Sequence, residues 1–129
     1  MAKRVFIFLS ALSILSLLSA GAFAAGKDSG QKHYTVKQIW AQKDRLKGKK
    51  VSVKGKVVKF NEGIMGKNWL HIQDGTGGKG ENDLTLVTDQ PAQVGQNVLA
   101  TCTVSTDKDF GAGYFYKVIL ENCRLQPVK

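Results

Sequence analysis

The stretch Lys49-Lys50-Val51-Ser52-Val53-Lys54-Gly55-Lys56-Val57-Val58 decides the fold class of this chain, because it alternates apolar and polar residues with the period of a β-strand. The apolar phase contains a glycine, Gly55, and it shifts at Val58 and Phe60. A glycine inside a strand, followed by a change of phase, allows a strand to bend and pass from one sheet to another. The segment therefore predicts a curved strand of the kind that closes a β-sheet on itself.

Four segments downstream show a similar alternation, and we expect each to form a strand. They span residues 68–74, 83–88, 95–106 and 114–125. The run Val118-Ile119-Leu120 breaks the alternation in the last segment and indicates a bulge. Five short strands predict a mainly β domain, a five-stranded Greek-key barrel of the OB (oligonucleotide/oligosaccharide-binding) type. An SH3-like barrel and a small open sandwich are the competing architectures.

The segment before the first strand predicts one amphipathic α-helix. Val36, Ile39 and Trp40 recur at helical spacing and would pack on the domain. Thr35 with Gln38 forms a capping-box pattern, and Gly48 would end the helix. Residues 25–34 are small or polar and predict a flexible N-terminal tail. We therefore expect the helix and the barrel to occupy residues 35–129.

Residues 1–24 have the pattern of an export signal. Lys3 and Arg4 precede the apolar residues 5–18, and the small residues Ala22 and Ala24 suit cleavage after position 24. That apolar stretch is shorter than the roughly 20 residues that span a bilayer. We therefore expect a cleavable signal peptide, no membrane span after its removal, and a periplasmic domain, with secretion outside the cell as the alternative.

Positive charge is concentrated in the first half of the chain. The formal net charge of the 129 residues is +9, and loss of Lys3 and Arg4 with the signal lowers it to +7. Residues 26–67 hold 12 Lys or Arg against 3 acids, whereas residues 68–129 hold 5 against 7. Such segregation is typical of a surface that binds a polyanion. In an exported protein, lipid head groups, glycans, extracellular DNA and acidic proteins are competing partners, and solubility alone is a further explanation.

Cys102 and Cys123 are the two cysteines of the chain. In an oxidising compartment the default expectation is a disulfide between them, which would stabilise the fold by roughly 3 kcal/mol in the chain-entropy model. A redox-active pair and a metal-binding pair are the alternatives. Because the spacing is not Cys-x-x-Cys, we favour the structural disulfide.

The opening stretch, together with Ile64-Met65-Gly66-Lys67-Asn68-Trp69-Leu70-His71-Ile72-Gln73-Asp74-Gly75-Thr76-Gly77, resembles the OB-fold nucleic-acid-binding superfamily. More narrowly, the chain is similar to small exported bacterial OB-fold proteins described as DNA-binding or nucleotide-binding by fold. The resemblance covers residues 35–125, and residues 68–77 are its most specific part. One departure is the connection 89–94, which is too short for the helix that often lies there. The resemblance implies the fold, but one fold hosts many functions.

Trp69, His71 and Gln73 are the first candidate ligand-binding residues. They would face outward if Leu70 and Ile72 face the core, and this part of an OB fold usually binds the ligand. An exposed Trp69 would be a base-stacking platform, worth about 1–3 kcal/mol per base. The alternative is that the helix or a loop covers Trp69 and makes it part of a second small core.

Four lysines add candidate phosphate contacts near that face: Lys54, Lys56, Lys59 and Lys67. Each could contact a polyanion or simply stay solvated. The turn of residues 75–80 matches Gly-x-Gly-x-x-Gly, but a strand rather than a helix is expected to follow it, so a dinucleotide site is not indicated. No metal-ligand spacing and no nucleophile motif is present, so we expect neither a cofactor nor enzyme activity.

Two functions remain open from the sequence. The first is a monomeric exported module that binds single-stranded nucleic acid or another polyanion through a basic face with an exposed tryptophan. The second is a non-catalytic protein-interaction accessory of a cell-envelope enzyme or cytochrome complex.

Overall fold

The computed structural model describes residues 32–129, so the predicted signal peptide and residues 25–31 of the predicted tail lie outside the described residues. The described region is mainly β, as expected, with six strands and two short helices. In chain order they are β1 (Lys32–Tyr34), α1 (Val36–Ala41), α2 (Lys43–Leu46), β2 (Lys50–Ile64), β3 (Lys67–Gln73), β4 (Leu84–Thr88), β5 (Asn97–Asp109) and β6 (Phe115–Pro127). Within this region, no helix is long and apolar enough to cross a membrane.

The strands form one mixed sheet in the order β1-β2-β3-β4-β6-β5, and β2 also pairs with β5. Strands β2 to β6 thus close partly into a ring, in which β4 and β6 are parallel and the other pairs antiparallel. This arrangement fits an OB-like β fold. The expected number of five strands is corrected to six, because β1 pairs in parallel with Val51–Val53 of β2. Its residues belong to the segment predicted as tail. Because that segment is mostly small or polar, no strand was predicted there, although Tyr34 packs against the core.

The bend predicted in β2 lets one strand serve two partners. Residues 50–56 of β2 pair with β5, and residues 56–64 pair with β3. A Cβ atom at Gly55 would lie 3.0 Å from the Cβ of Ile72, so only glycine fits here without displacing β3. The register shifts between Val57 and Lys59, where the phase of the sequence changes. The glycine and the change of phase therefore mark the bend, as expected.

The bulge in β6 lies elsewhere than predicted. Val118, Ile119 and Leu120 pair with β5 without a register shift, and all three are buried. Val118 and Leu120 belong to the main core, whereas Ile119 packs on the other face of the sheet. Burial on both faces explains the unbroken apolar run. The register shift falls opposite Cys102, next to Asn122, whose φ of 53° is left-handed.

The helices pack on the ring and share its core. The predicted single helix is divided in two at Gln42, while the predicted capping box of Thr35 and Gln38 is present. Val36, Ile39 and Leu46 join the inward-facing side chains of the strands in one buried cluster. Cys102 and Cys123 lie in the same cluster and form a disulfide between β5 and β6.

Asp74 and Thr76 connect the loop after β3 to the start of α1. One carboxylate oxygen of Asp74 accepts the Val36 N–H at 2.9 Å, and the other accepts the N–H and the hydroxyl of Thr76 at 2.9 and 2.6 Å. The Thr76 hydroxyl oxygen accepts the Lys37 N–H at 2.9 Å. Burial raises the pKa of Asp74, but these hydrogen bonds outweigh it and leave the pKa below the usual 3.8. Asp74 and Thr76 belong to the segment that carries the family resemblance, and their role here is to hold the start of α1.

Candidate binding cleft

Trp69 is covered, so the expectation of an exposed tryptophan is wrong. Its side chain is 7% exposed and packs with Val87 and Ile119 on the outer face of the sheet. The Phe110 ring stands edge-on to it at 5.0 Å between centroids, and the Tyr116 ring lies at 6.2 Å. The indole N–H donates to the Ile64 carbonyl at 2.8 Å. The alternative of a second small core is therefore correct, and the β5–β6 hairpin rather than the helix provides the cover.

A cleft of about 190 Å³ opens beside this second core. Its walls come from the outer face of β2, β3 and β4 and from the β2–β3 and β5–β6 hairpins. The lining residues are Lys59, Asn61, Ile64, Met65, Trp69, His71, Thr85, Tyr114 and Tyr116. We call this cavity the cleft; it lies on the outer face of the sheet, between the two hairpins.

Strand pairing sets the polar groups of the cleft. Lys59 lies opposite His71, and His71 lies opposite Thr85 on the next strand. The Nδ1 atom of His71 is 3.1 Å from a carboxylate oxygen of Asp83. Lys59 is exposed and makes no ion pair with any residue between 32 and 129. The cleft thus presents one free ammonium group beside an imidazole whose orientation is fixed by Asp83.

Apolar side chains form the rim of the cleft and extend beyond it. Ile64, Met65 and Tyr114 are 40%, 55% and 51% exposed, and the neighbouring Phe115 is 54% exposed. Met65 and Gly66 form the two-residue turn between β2 and β3, with φ of 53° and 78°. Glycine tolerates such a value, but a long side chain such as that of Met65 rarely adopts it. The turn therefore holds an exposed methionine in an unfavourable backbone conformation.

Tyr116 forms the inner wall of the cleft. Burial, and then the neighbouring phenol of Tyr114, raise the pKa of Tyr116 above its usual 10.0. The Tyr116 hydroxyl therefore stays protonated at neutral pH, where it can donate a hydrogen bond. An adjoining cavity of about 550 Å³ shares Thr85 and Tyr116 with the cleft and is also lined by Phe115 and Lys117.

The predicted site residues lie in three places rather than one. Trp69, His71 and Lys59 line the cleft. Lys54, Lys56 and Gln73 line a separate cavity together with Asn97 and Lys129. Lys67 lines a third cavity and is paired with Asp89 at 2.9 Å, a partner that the sequence did not indicate.

Four exposed residues at or beside the cleft were not predicted as ligand-binding residues from the sequence: Ile64, Met65, Tyr114 and Phe115. Each lies beside glycines that form a hairpin, since Gly63 and Gly66 flank Ile64 and Met65 and Gly113 precedes Tyr114. An aromatic or apolar side chain at the tip of a glycine-rich hairpin was the signal that could have identified them. Within residues 32–129, no three His, Cys, Asp or Glu side chains come together in a metal-binding group.

No family model and no curated protein matches the chain. Among solved structures, an aspartyl-tRNA synthetase from Leishmania major Friedlin has a TM-score of 0.49 and 9% sequence identity over 78% of this chain. The aligned part is 22% of that enzyme, so the chain spans about a fifth of its length. We draw nothing about the ligand or activity of this chain from that likeness.

Proposed function

We propose that the protein is an exported binding module built on a five-stranded OB-type barrel, with β1 added at its edge, and that its cleft binds single-stranded nucleic acid or a similar polyanion. The observation that carries this proposal is that the half-exposed Tyr114 of the β5–β6 hairpin lines the same cleft as Lys59, which has no ion-pair partner between residues 32 and 129. Aromatic side chains next to positive charge suit a single strand, because bases stack on rings while phosphates contact ammonium groups.

The cleft residues divide into roles under this proposal. Tyr114 stacks on a base, and Lys59 contacts a phosphate. Asn61 and Thr85 carry neutral groups that can hydrogen-bond to a base edge. Trp69 is part of the wall of the cleft but does not stack on the ligand, because it is buried and Phe110 already packs on it.

We infer binding without catalysis. No cysteine, serine or acidic residue is among the described residues that line the cleft. Asp83, just outside it, is engaged by His71. The disulfide is compatible with an oxidising compartment, which agrees with the export expected from residues 1–24. The ligand would then be met in the periplasm or outside the cell.

Fluorescence titration tests this proposal. In a Trp40→Phe background the remaining tryptophan, Trp69, lies in the wall of the cleft and reports on its occupation. A thymidine oligonucleotide at low salt should change its emission, and the affinity should fall linearly in log–log form as salt rises. Tyr114→Ala should weaken binding by about fivefold to a hundredfold, the range for one stacked base.

Phe115→Ala is the matched control, because Phe115 is equally exposed but lies outside the cleft. An equal loss of affinity in both variants, or no emission change in the parent protein at low salt, would contradict the proposal.

A protein-interaction accessory of an envelope enzyme or cytochrome complex is the second candidate. Exposed apolar side chains at two neighbouring hairpins, Ile64 and Met65 on one and Tyr114 and Phe115 on the other, favour it. Clustered exposed apolar residues are typical of protein contacts. A photo-crosslinker at position 65 should then capture one defined envelope protein at high salt, where polyanions dissociate. Absence of a crosslink together with salt-sensitive oligonucleotide binding would reject this candidate.

A further inference from the structure

Three lysines converge on a groove separate from the cleft. Lys54, Lys56 and Lys129 line a cavity of about 560 Å³, together with the amide side chains of Gln73 and Asn97. We call this cavity the lysine groove. Lys54 and Lys56 precede the register shift of β2, whereas Lys59 follows it and faces the cleft. The shift therefore separates Lys54 and Lys56, which line one cavity, from Lys59, which lines another.

The spacing along β2 places two lysines on one face of the strand. Lys54 and Lys56 are both exposed while Val53, Gly55 and Val57 are buried, so the two lysines share the outer face of the strand. Two residues along a strand cover about 6.6 Å. Lys54 also lines an adjoining cavity with His33 and Tyr34, which extends the groove beyond β2.

The charge of the lysine groove is not neutralised within the described region. Elsewhere lysines meet acids, since Lys67 lies 2.9 Å from Asp89 and Lys108 lies 3.1 Å from Glu121. Between residues 32 and 129, by contrast, no carboxylate lies within ion-pair distance of Lys54, Lys56 or Lys129. These amines are therefore available to an external anion.

The acidic side chain that borders the groove is occupied. Both oxygens of Asp74 accept hydrogen bonds, from the Val36 N–H and from Thr76, so the carboxylate serves the start of α1. The side-chain amides of Gln73 and Asn97 have no hydrogen-bond partner in the part of the chain described, and each carries N–H groups that can donate to an anion.

We propose that the lysine groove is a second binding site, for a chain of phosphate groups. Adjacent ammonium groups with free amide donors match successive phosphates, and the volume of the groove exceeds what one phosphate group needs. The same chemistry is found in free polyphosphate and in a nucleic-acid backbone. Because its residues are not those of the cleft, the site stands whether or not the cleft binds bases.

Isothermal titration with inorganic tripolyphosphate at low salt tests the site. The double variant Lys54→Gln/Lys56→Gln should lose at least tenfold in affinity. The double variant Lys47→Gln/Lys49→Gln removes the same charge from exposed positions outside the groove, and it should change affinity less than twofold. Tyr114→Ala should leave tripolyphosphate binding unchanged. Both double variants should remain folded, which thermal melts check.

The outcomes separate this site from the cleft and identify its ligand. Equal losses in the two double variants would mean that net charge alone attracts the ligand, and absence of binding to the parent protein would leave no site; either result overturns the proposal. If thymidine oligonucleotide binding also weakens only in the Lys54/Lys56 variant, the groove takes a nucleic-acid backbone. If tripolyphosphate alone responds, it takes a free phosphate chain.

Discussion

Asp74 holds the sheet and α1 together through hydrogen bonds from the Val36 N–H and from Thr76. Asp74→Asn keeps the size of the side chain but replaces one acceptor oxygen by an NH₂ group. That group cannot accept a hydrogen bond, so the bond from the Val36 N–H or those from Thr76 are lost. We expect a loss of about 1–2 kcal/mol in the free energy of unfolding, the range for a helix cap with a charged acceptor. Urea denaturation of both proteins at neutral pH measures it.

The same pair of proteins gives a pH dependence with a defined sign. The pKa of Asp74 in the folded protein lies below the ordinary value of 3.8, so the folded state binds this proton less readily than the unfolded state. The stabilisation is therefore complete above pH 3.8 and is lost as the pH falls through the folded pKa. The difference in the free energy of unfolding between the parent protein and Asp74→Asn should be constant near neutral pH and should shrink in acid. A difference that grows in acid would contradict this assignment.

Met65 occupies a turn position that favours a different residue. With positive φ at both turn residues, the sequence Asn-Gly is preferred over Met-Gly. Met65→Asn should therefore raise the free energy of unfolding by about 0.5–1 kcal/mol, since asparagine tolerates this conformation. If Met65 contributes to binding at the rim of the cleft, the more stable variant should bind less tightly. Denaturation measures the free energy of unfolding, and titration of the same sample measures the affinity. A lower free energy of unfolding in Met65→Asn would contradict the claim that Met65 is strained.

Single positions show where sequence reasoning reaches and where it stops. Alternation correctly predicted Leu70 and Ile72 as core residues and Trp69 as a residue of the outer face. It could not predict that Phe110, far along the chain, covers Trp69, because a strand pattern identifies a face and not what packs on it. For the same reason the pairing of Lys67 with Asp89 was not predicted.

The β5–β6 hairpin is the element that shapes the cleft. Phe110 lies in its loop, and the hairpin also supplies Tyr114 and Tyr116. Phe110→Ala should uncover the Trp69 indole while the ring of strands stays closed. In the Trp40→Phe background we expect a red shift in emission and stronger quenching by acrylamide. Phe115→Ala serves as the control, because Phe115 is exposed on the same hairpin but does not line the cleft with Trp69. Unchanged quenching in Phe110→Ala would show that the cover lies elsewhere.

Elements were predictable to the extent that they repeat a pattern. The five ring strands followed from alternation, and the bend of β2 followed from Gly55 and the change of phase. The strand β1 was missed because three residues are too few to show a period. The break between α1 and α2 at Gln42 was also missed, since the apolar spacing continues through it.

At the scale of the whole molecule, the lysines of the basic first half of the chain lie in different local environments. Lys54 and Lys56 line the lysine groove and Lys59 lines the cleft, while Lys67 pairs with Asp89, just after β4. A count of charges along the sequence predicted a basic first half of the chain. It could not distinguish neutralised from free lysines, because that depends on which strands become neighbours.

The disulfide affects the stability of the whole domain. Cys102 and Cys123 are separated by 21 residues, and the bond between them links β5 to β6 within the core. Replacing both by alanine should lower the free energy of unfolding by roughly 3 kcal/mol, according to the chain-entropy model. Urea midpoints of the oxidised protein and of the variant measure the loss. Thiol titration of unreduced, denatured protein should detect no free thiol; two would contradict the bond.

The link between Asp74 and α1 has a kinetic consequence. A helix of six residues is far too short to persist alone, because isolated helices below about 12–15 residues are marginal in water. Val36 and Ile39 are held in the core of the ring, and the first amides of α1 donate to Asp74 and Thr76. The amides of Val36 and Lys37 should therefore exchange with deuterium only when the sheet itself opens, and the N-terminal helix and the strands should unfold as one cooperative unit.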